Sequence, residues 1–470
     1  MRIATAITCT LMVGLGACNA SKEIPDDDRV EPDDFEVTIE LSDYISTVAN
    51  FSFTTEVGEL ESAFVQFGGS TDYSTTVPVD MTKGSPYQVW LAGMKPNSTY
   101  HARVSANSGG TTHVSNDYSV TTGHRPNELP DIEVDLRHEE QSLMAQGGYL
   151  ITSIFGAPAT PIILDGDGEY VWWHSAPKDF PVSRTRLSAD GQWVYYWTTN
   201  VHGAGLRPND DDPPDNQALY RVSIDGSVEE SFDLSEGHHD FFEMSDGHIA
   251  FIEYDKRHVD GEEVWGDRIM DLDPQTGNTT EIYSIWDDFE YDPDAQPEDD
   301  HSENWSHGNA LRFDAEEDSL YLGFRVFSSI IKVDRNGGTL EWVLGGEGND
   351  FDGGDKIFNS QHGFQIVEDG LVVFDNGDPK RNYSQVIHLS LNEDTLTAEP
   401  NWTYKPEPST YTFSLGDVLC LPNGNYLADF SNGGQMDEFT ADGDLVWRLN
   451  GDLGGAFGYV FYVEDLYAAQ

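Results

Sequence analysis

The sequence predicts an all-β protein in which a small β-sandwich precedes a six-bladed β-propeller. Two observations lead to this fold class. Short stretches of alternating polar and apolar residues, separated by turn residues, run through the chain after residue 35, and a four-strand unit recurs along its later part. The 470 residues also include 45 Gly and 22 Pro, which interrupt the chain too often for long helices.

The chain is strongly acidic. It carries 25 Lys and Arg against 84 Asp and Glu, which gives a formal net charge of −59. A field of this sign repels phosphate backbones and anionic lipid headgroups, so we expect no nucleic-acid partner and no polybasic attachment to membranes. Hydrophobic residues at 38% and aromatic residues at 12% supply a core, so the charge does not indicate a disordered chain.

Residues 1–17 have the features of an export signal. Arg2 precedes an apolar run that is too short to span a bilayer, and small residues lie before Cys18. The ending Leu15-Gly16-Ala17-Cys18 resembles the lipobox of bacterial lipoproteins, which implies cleavage before Cys18 and acylation of its thiol. The alternative is an ordinary signal peptide followed by a chance cysteine. Asn19, in place of Asp, implies an outer-membrane address by the same resemblance.

These features predict an exported lipoprotein on the periplasmic or cell-surface face of the outer membrane, with the lipid as its only membrane contact. Cys420 would then have no disulfide partner, because Cys9 is removed with the signal and Cys18 is acylated. Residues 18–34 are polar, acidic and Pro-containing, so they predict a linker between the lipid and the first domain.

Residues 35–125 predict the β-sandwich. β-branched and aromatic residues alternate with polar residues there in short stretches that turn residues separate. The stretch from Leu91 to Val104 resembles the tyrosine-corner strand of fibronectin type III domains. This resemblance implies a fibronectin type III-like domain. We expect it to act as a spacer, because no group of catalytic side chains stands out in this part of the sequence.

Residues 130–465 predict the propeller. A turn separates two apolar strands in successive units, and the turns are marked by Gly191, Gly247, Gly370, Gly424 and the acidic stretch 316–318. An outer pair of strands follows each inner pair, which gives six units of four strands. A β-solenoid and a pair of sandwiches are the alternatives. The acidic insertions 202–216 and 286–304 would lie on one face, either as solvated loops or as calcium sites.

Three histidines occupy one position in this repeat. His239 and His362 each lie eight residues before a turn glycine, and the apolar pattern after His307 places it at the same position in the unit between them. The first residues of innermost propeller strands converge on the channel mouth, so these imidazoles should meet there. Asn309 lies on the same strand face as His307, and Arg325 is a cation in an otherwise apolar strand.

Such a group of side chains favours an anion site. Imidazole, amide and guanidinium donors match the oxygens of a tetrahedral oxyanion such as sulfate or phosphate, and a neutral histidine can attack the central atom. A zinc site on the three histidines is the alternative. Arg325 argues against zinc, because a divalent cation repels a guanidinium, and the spacing H-E-x-x-H does not occur in the sequence.

Several motifs in residues 130–465 resemble those of the bacterial arylsulfate sulfotransferase family. They are His238-His239-Asp240, Asn304 to Asn309, Arg325, Trp342 to Gly346, Gln361 to Phe364 and Phe374 to Gly377. The resemblance implies a six-bladed propeller that moves a sulfuryl group between phenols by a ping-pong route. It also implies that no nucleotide sulfate donor and no cofactor take part.

The resemblance implies a role for each candidate residue by its position. His362 would be the nucleophile that becomes sulfohistidine. His307, Asn309 and Arg325 would hold the sulfuryl oxygens, with His307 and Arg325 counted as catalytic. His239 would complete the catalytic group.

The sequence leaves two questions undecided, and both concern residues next to these candidates. Strand phase favours His239 over His238 as the inward member of the pair, which leaves His238 as a further candidate for binding substrate. We expect a polar residue such as Asp directly after the nucleophile, and the chain has Gly363 there.

The sequence therefore predicts an arylsulfate sulfotransferase with an aryl sulfate as donor and a phenol as acceptor. Two alternatives stay open. One is a metal-dependent propeller lyase or lactonase that uses the three histidines as ligands. The other is a non-catalytic propeller that serves as a binding or scaffold lipoprotein. The sequence carries no signal for the oligomeric state.

Overall fold

The computed structural model describes residues 34–177, 180–199, 217–291, 304–346, 348–453 and 455–467. The predicted signal, the acylation site Cys18, nearly all of the linker and the insertion 202–216 lie outside these ranges, as does most of the insertion 286–304. The assignments made for them stay predictions. No helix in the described ranges is long and apolar enough to cross a bilayer.

Two antiparallel sheets near the start of the chain form a β-sandwich around one apolar core. The strands are β1 (Phe35–Leu41), β2 (Ala49–Thr55), β3 (Ser62–Gly68), β4 (Thr75–Pro78), β5 (Tyr87–Leu91), β6 (Thr99–Ser108), β7 (Thr111–Val114) and β8 (Tyr118–Thr121). One sheet has the order β1-β2-β5, and the other has the order β4-β3-β6-β7 with β8 also on β6. The hydroxyl of Tyr100 accepts a 2.8 Å hydrogen bond from the backbone N–H of Lys95, which is the contact of a tyrosine corner. The fibronectin type III assignment stays a prediction.

The remaining described strands form a β-propeller. They are β9 (Ile132–Arg137), β10 (Tyr149–Ile154), β11 (Thr160–Asp165), β12 (Tyr170–Trp173), β13 (Val182–Leu187), β14 (Trp193–Thr198), β15 (Ala218–Ser223), β16 (Glu229–Asp233), β17 (Gly237–Glu243), β18 (Ile249–Val259), β19 (Glu262–Leu272), β20 (Thr279–Ser284), β21 (Gly308–Asp314), β22 (Ser319–Phe324), β23 (Ser329–Asp334), β24 (Thr339–Leu344), β25 (Phe364–Val367), β26 (Gly370–Asp375), β27 (Gln385–Asn392), β28 (Thr397–Tyr404), β29 (Asp417–Cys420), β30 (Tyr426–Phe430), β31 (Gln435–Phe439), β32 (Leu445–Gly451) and β33 (Phe461–Val463). Three short 3-10 helices lie at Met81–Lys83, Ile285–Asp287 and Ser431–Gly433.

These strands pair into successive antiparallel sheets, numbered I to VI from here on. Sheet I joins β10 to β12 with β33, sheet II holds β13 to β16, and sheet III holds β17 to β20. Sheet IV holds β21 to β24, sheet V holds β25 to β28, and sheet VI joins β29 to β32 with β9. The predicted all-β fold class with a propeller is confirmed.

Strand alternation lets each sheet pack on two neighbours. In β26, Leu371 and Val373 belong to a core shared with sheet IV, whereas Val372 and Phe374 belong to a core shared with sheet VI. Further cores join sheets I and II, II and III, III and IV, and VI and I. The six sheets therefore close into a ring, and the first residues of their inner strands meet near its axis.

Both ends of the propeller segment close this ring. β9 pairs with β32 at the outer edge of sheet VI, and β33 pairs with β10 at the inner edge of sheet I. The chain then reaches the sandwich, where the hydroxyl of Tyr467 accepts a 2.6 Å hydrogen bond from the backbone N–H of Ala92 and its ring packs on Phe67. The sandwich is thus bound to the propeller by the last described residues.

Cys420 differs from its prediction. The sequence count left it without a partner, and Cys420 is disulfide-bonded. The count rested on removal of Cys9 with the signal and on acylation of Cys18, and both of these stay predictions.

The closure of the propeller can be tested at Gly166, which lies in the turn between β11 and β12. Its carbonyl accepts a 3.1 Å hydrogen bond from Nε1 of Trp447, and a Cβ at this position would lie 1.7 Å from the carbonyl oxygen of Met144. We expect Gly166→Ala to lower the free energy of unfolding by about 1–3 kcal/mol in chemical denaturation, because the methyl group forces these segments apart. Gly69→Ala is the control, since a Cβ at Gly69 meets no atom within 4 Å, and its change should stay within about 0.5 kcal/mol.

Candidate active site

The three histidines of the repeat come together at the inner strands of sheets III, IV and V. His239 lies in β17, His307 directly precedes β21, and His362 lies two residues before β25. All three side chains are buried, and the ring centroids of His239 and His307 are 5.1 Å apart. His362 lies close enough to act electrostatically on both of the others. The structure thus brings together the trio that the repeat predicted.

Two of these histidines have an unusual backbone conformation. His239 has φ 58° and His307 has φ 55°, in the left-handed region that residues with a Cβ rarely adopt. At both places the pairing of the inner strand with its neighbour shifts register, between His238 and Phe241 and between Gly308 and Ala310. Such bulges re-aim side chains at the edges of sheets. The strained backbone is typical of functional positions.

The ring of His362 is held in one tautomer. Its Nδ1 lies 2.8 Å from Oδ1 of Asn376. The amide nitrogen of Asn376 donates to the carbonyl oxygens of Thr412 and Leu415, so the oxygen of the amide must face the histidine. Nδ1 of His362 therefore carries the hydrogen and donates it, which leaves Nε2 with a free lone pair.

Burial and charge keep His362 neutral. Burial first, and the cation of Arg325 second, lower the pKa of His362 to about 3. Burial also lowers the pKa of His239 and of His307 well below the ordinary value, with neighbouring imidazoles and Arg325 adding to the effect. A positive charge is costly in this position, so all three rings are free bases at neutral pH.

Gly363, where a polar residue was expected, lies against Asp417. A Cβ at Gly363 would lie 1.9 Å from Oδ1 of Asp417, so only glycine fits beside this carboxylate. The backbone N–H of Gly363 donates to the carbonyl of Gly416 at 3.0 Å. The polar support of His362 therefore comes from Asn376, 14 residues further along the chain, rather than from the next residue.

His238 lies behind His239 rather than beside the other rings. Its Nδ1 is 2.8 Å from Nδ1 of His239, its Nε2 is 2.9 Å from Oδ1 of Asp267, and its ring stacks on Tyr254 at a centroid distance of 3.8 Å. Both ring nitrogens thus face partners within the protein. This geometry favours a positioning role for His238 over direct contact with substrate.

Asn309 and Arg325 lie beside His307. The amide nitrogen of Asn309 donates to the carbonyl oxygen of Gln361 at 2.7 Å, which ties sheet IV to the residue before His362. The backbone N–H of Arg325 donates to the carbonyl of His307 at 3.0 Å, and its half-buried cation acts electrostatically on all three histidines. Arg325 therefore supplies positive charge to the group.

A buried ion network joins the inner strands directly behind the histidines. Arg184 donates to both carboxylate oxygens of Asp240, at 2.7 and 2.8 Å, and to Asp417 at 2.8 Å. Arg312 donates to Asp240 at 2.9 Å and to Asp417 at 2.7 Å. Tyr459 covers the guanidinium of Arg184 at 4.1 Å from its ring centroid. The four charged residues link sheets II, III, IV and VI across the channel.

The charges in this network balance each other. Burial opposes ionisation of Asp240, but Arg184, Arg186 and Arg312 outweigh burial and lower the pKa of Asp240 below its ordinary value. Arg184 and Asp240 each expose none of their side-chain surface. Such a network depends on every partner, because a lone buried charge is strongly unfavourable.

The sequence analysis missed the network, although the repeat carries its signal. Arg184, Asp240 and Asp417 each lie seven residues before a turn glycine, which is one position after the histidine position. Their opposite charges at one repeat phase indicate residues that meet at the axis. Asn376 lies in a motif that the sequence analysis singled out, but its contact with His362 follows only from the fold.

No group of three or more His, Cys, Asp and Glu side chains in the described ranges could hold a metal ion. The donors that meet here are imidazole and guanidinium groups. This chemistry suits an anion with several oxygens.

From the network we predict that Arg184→Met strongly lowers the stability of the fold. The substitution leaves Asp240 and Asp417 buried and short of a cation, so we expect the free energy of unfolding to fall by about 3–5 kcal/mol in chemical denaturation. Arg221→Met is the matched control in the same sheet, because Arg221 is only partly buried and its partner Glu230 is exposed to solvent. Its loss should stay below about 1 kcal/mol. Equal losses in the two variants would contradict the account of the network.

Comparisons with known proteins identify a family that matches the propeller part of the chain. The arylsulfotransferase (ASST) family model matches residues 133–444. The chain is 23% identical over 188 residues to arylsulfate sulfotransferase AssT of Escherichia coli O6:H1, which covers 31% of this chain and 30% of that protein, so the match spans about a third of either.

The solved structures that align with this chain are more distant in sequence. A protein of unknown function from Bacteroides caccae aligns with a TM-score of 0.44 and 12% identity, over 68% of this chain and 100% of that one. A virginiamycin B lyase variant from Staphylococcus aureus aligns with a TM-score of 0.37 and 9% identity, over 72% of this chain and 97% of that one. The family match over residues 133–444 shows that the chain belongs to the arylsulfotransferase family.

Proposed function

We propose that this protein is an arylsulfate sulfotransferase that transfers a sulfuryl group from an aryl sulfate to a phenol through a sulfohistidine at His362. The observation that carries the proposal is the free Nε2 lone pair of His362 in a buried, neutral ring beside Arg325. A nucleophile of this kind needs no proton transfer before it attacks. Membership of the arylsulfotransferase family supports the same chemistry.

In the first half-reaction, Nε2 of His362 attacks the sulfur of the aryl sulfate. The N–S bond forms as the bond between sulfur and the phenolic oxygen breaks, and the aryl group leaves as a phenolate. Negative charge on the sulfuryl oxygens is stabilised by Arg325, whose cation lies next to all three imidazoles. Asn376 accepts a hydrogen bond from Nδ1 of His362 and stabilises the positive charge that develops on the ring.

In the second half-reaction, the oxygen of a phenolic acceptor attacks the same sulfur. The O–S bond forms, the N–S bond breaks, and His362 returns to its neutral form. The acceptor must lose its proton in this step. The same pocket thus handles both aryl groups in turn, which is the physical basis of a ping-pong route.

The location of the enzyme is a further part of the proposal. The lipobox-like ending at Cys18 and the acidic linker support an exported lipoprotein that faces the periplasm or the cell surface. Aryl sulfates and phenols are then met outside the cytoplasm, where a nucleotide sulfate donor is absent. The net charge of −59 repels an anionic donor, so the positive charge of Arg325 must reverse the field locally.

The nucleophile is tested by His362→Asn. An amide cannot form the covalent intermediate, so we expect transfer from 4-nitrophenyl sulfate to phenol to fall by at least about 10⁴-fold. His388→Asn is the matched control, because His388 is buried in the same sheet and pairs with Asp369 away from the site. It should retain activity. Transfer that persists in His362→Asn would contradict the proposal, and loss of transfer on chelation would favour a metal-dependent reaction instead.

The pKa of His362 predicts the pH dependence of the first half-reaction. Because that pKa is lowered to about 3, the ring stays unprotonated throughout the neutral and mildly acidic range. The burst of nitrophenol release under single-turnover conditions should therefore keep the same rate constant from about pH 5 to 8. An unperturbed histidine would instead lose the burst as the pH falls through about 6.5.

A further inference from the structure

Asp267, His238 and His239 form a chain of contacts that ends beside the reacting residues. Oδ1 of Asp267 lies 2.9 Å from Nε2 of His238, and Nδ1 of His238 lies 2.8 Å from Nδ1 of His239. The ring of His239 then packs against His307. All three members of the chain are buried, so water does not break these contacts.

The position of Asp267 is fixed by its other oxygen. Oδ2 accepts hydrogen bonds from the hydroxyl of Ser306 and from the backbone N–H of Gly308. A Cβ at Gly308 would lie 3.1 Å from the carboxyl carbon of Asp267, so the glycine allows this close approach. The two residues that hold Asp267 flank His307, so the chain is anchored to sheet IV as well as to sheet III.

The short contact between two Nδ1 atoms restricts where hydrogens can lie. Two lone pairs at 2.8 Å repel each other, and two N–H groups clash, so one hydrogen lies between the two rings. Nε2 of His238 and Oδ1 of Asp267 lie at ion-pair distance without the alignment of a hydrogen bond. Two lone pairs would repel each other at this distance, so we place the second hydrogen on Nε2 of His238. In the neutral pair, Nδ1 of His239 therefore carries the shared hydrogen and Nδ1 of His238 accepts it, which leaves the lone pair on Nε2 of His239 outside this contact.

We propose that His239 exchanges the phenolic proton and that Asp267 and His238 position and stabilise it in this role. The proposal rests on the proposed function and extends it. It makes His239 a general acid and base, in addition to a lining residue of the sulfuryl pocket. His238 and Asp267 are positioning residues, because they act through His239.

The proton balance closes over one turnover. When the acceptor oxygen attacks the sulfur of sulfohistidine, its proton moves to Nε2 of His239, and the hydrogen between the two rings shifts to Nδ1 of His238. The positive charge then lies on His238 beside Asp267. In the next donor cleavage, Nε2 of His239 returns the proton to the leaving phenolate, and the shared hydrogen moves back. No proton from solvent is needed.

The neutral starting state agrees with the surroundings of the ring. Burial first, then His238 and His362, lower the pKa of His239 well below its ordinary value, while Asp240 partly opposes them. The free ring is thus a base before the acceptor binds. Stabilisation of the protonated pair must come from Asp267, the carboxylate in contact with His238.

His238→Phe tests the relay, because it keeps an aromatic ring for the contacts with Tyr254 and His239 but removes both nitrogens. The nitrophenyl leaving group is weakly basic and needs little help from an acid. We therefore expect the burst from 4-nitrophenyl sulfate to stay within about 3-fold of wild type, while transfer from the preformed sulfo-enzyme to phenol falls by about 10²–10⁴-fold. Asp267→Asn should show the same pattern with a smaller loss.

Two comparisons make the outcome decisive. His248→Phe is the matched control, because His248 and Asp271 form another His–Asp pair in sheet III at its solvent-exposed end, and both half-reactions should be unchanged. With donors that have more basic leaving groups, such as unsubstituted phenyl sulfate, steady-state transfer should fall more in His238→Phe than it does with 4-nitrophenyl sulfate.

Equal losses in both half-reactions with 4-nitrophenyl sulfate, or undiminished transfer to phenol, would overturn the relay. If the proposed function itself is wrong, the result differs, because the wild-type enzyme will then show neither a burst nor an adduct on His362.

The wild-type enzyme provides a test that does not depend on how a variant folds. Its transfer step to phenol should slow by about 2-fold or more in deuterium oxide, and an isotope effect of one would contradict proton transfer in that step.

Discussion

The ion network at the propeller axis is the constraint on which the site depends. Arg184 and Arg312 each bind both Asp240 and Asp417, so inner strands from four sheets are held to one another by buried charges. Three of the four partners lie next to a site residue, either in the chain or in space. Asp240 follows His239, Arg312 lies three residues after Asn309, and Asp417 packs against Gly363 beside the nucleophile. The spacing of the histidines is therefore set by this network.

The network also separates structural charge from catalytic charge. Its carboxylates are matched by guanidinium groups, so the imidazoles in front of them remain neutral, and the cation of Arg325 acts on all three. Neutral histidines serve different tasks according to their partners. In the proposed mechanism, Asn376 leaves the lone pair of His362 free for attack on sulfur, whereas the carboxylate behind His238 prepares His239 to carry a proton. Two kinds of chemistry thus come from one residue type.

Much of this arrangement was accessible from the sequence because the fold repeats. Turn glycines such as Gly247 and Gly424 marked the inner hairpins, and the shared distance to them placed His239 and His362 at one level of the channel. The propeller and the meeting of the three histidines followed from that periodicity, and the sandwich followed from the alternation of polar and apolar residues in 35–125. The repeat also carried the charges of Arg184 and Asp417, which the sequence analysis did not use.

Other features depend on contacts that no spacing encodes. The tautomer of His362 follows from an amide whose direction is set by two backbone carbonyls in the loop before sheet VI. His238 was a candidate for substrate contact, but its partner Asp267 lies on another strand, which a single-strand pattern does not relate to it. The pairing of Cys420 likewise could not be read from a count that removed the other cysteines.

The central claim is that Nε2 of His362 carries the sulfuryl group between donor and acceptor. Intact-mass analysis and peptide mapping after mixing the enzyme with 4-nitrophenyl sulfate, without acceptor, test it most directly. The account predicts a mass increase of one sulfuryl group, located on His362 and removed when phenol is added. An unmodified protein under conditions that release nitrophenol, or an adduct on another residue, would contradict it.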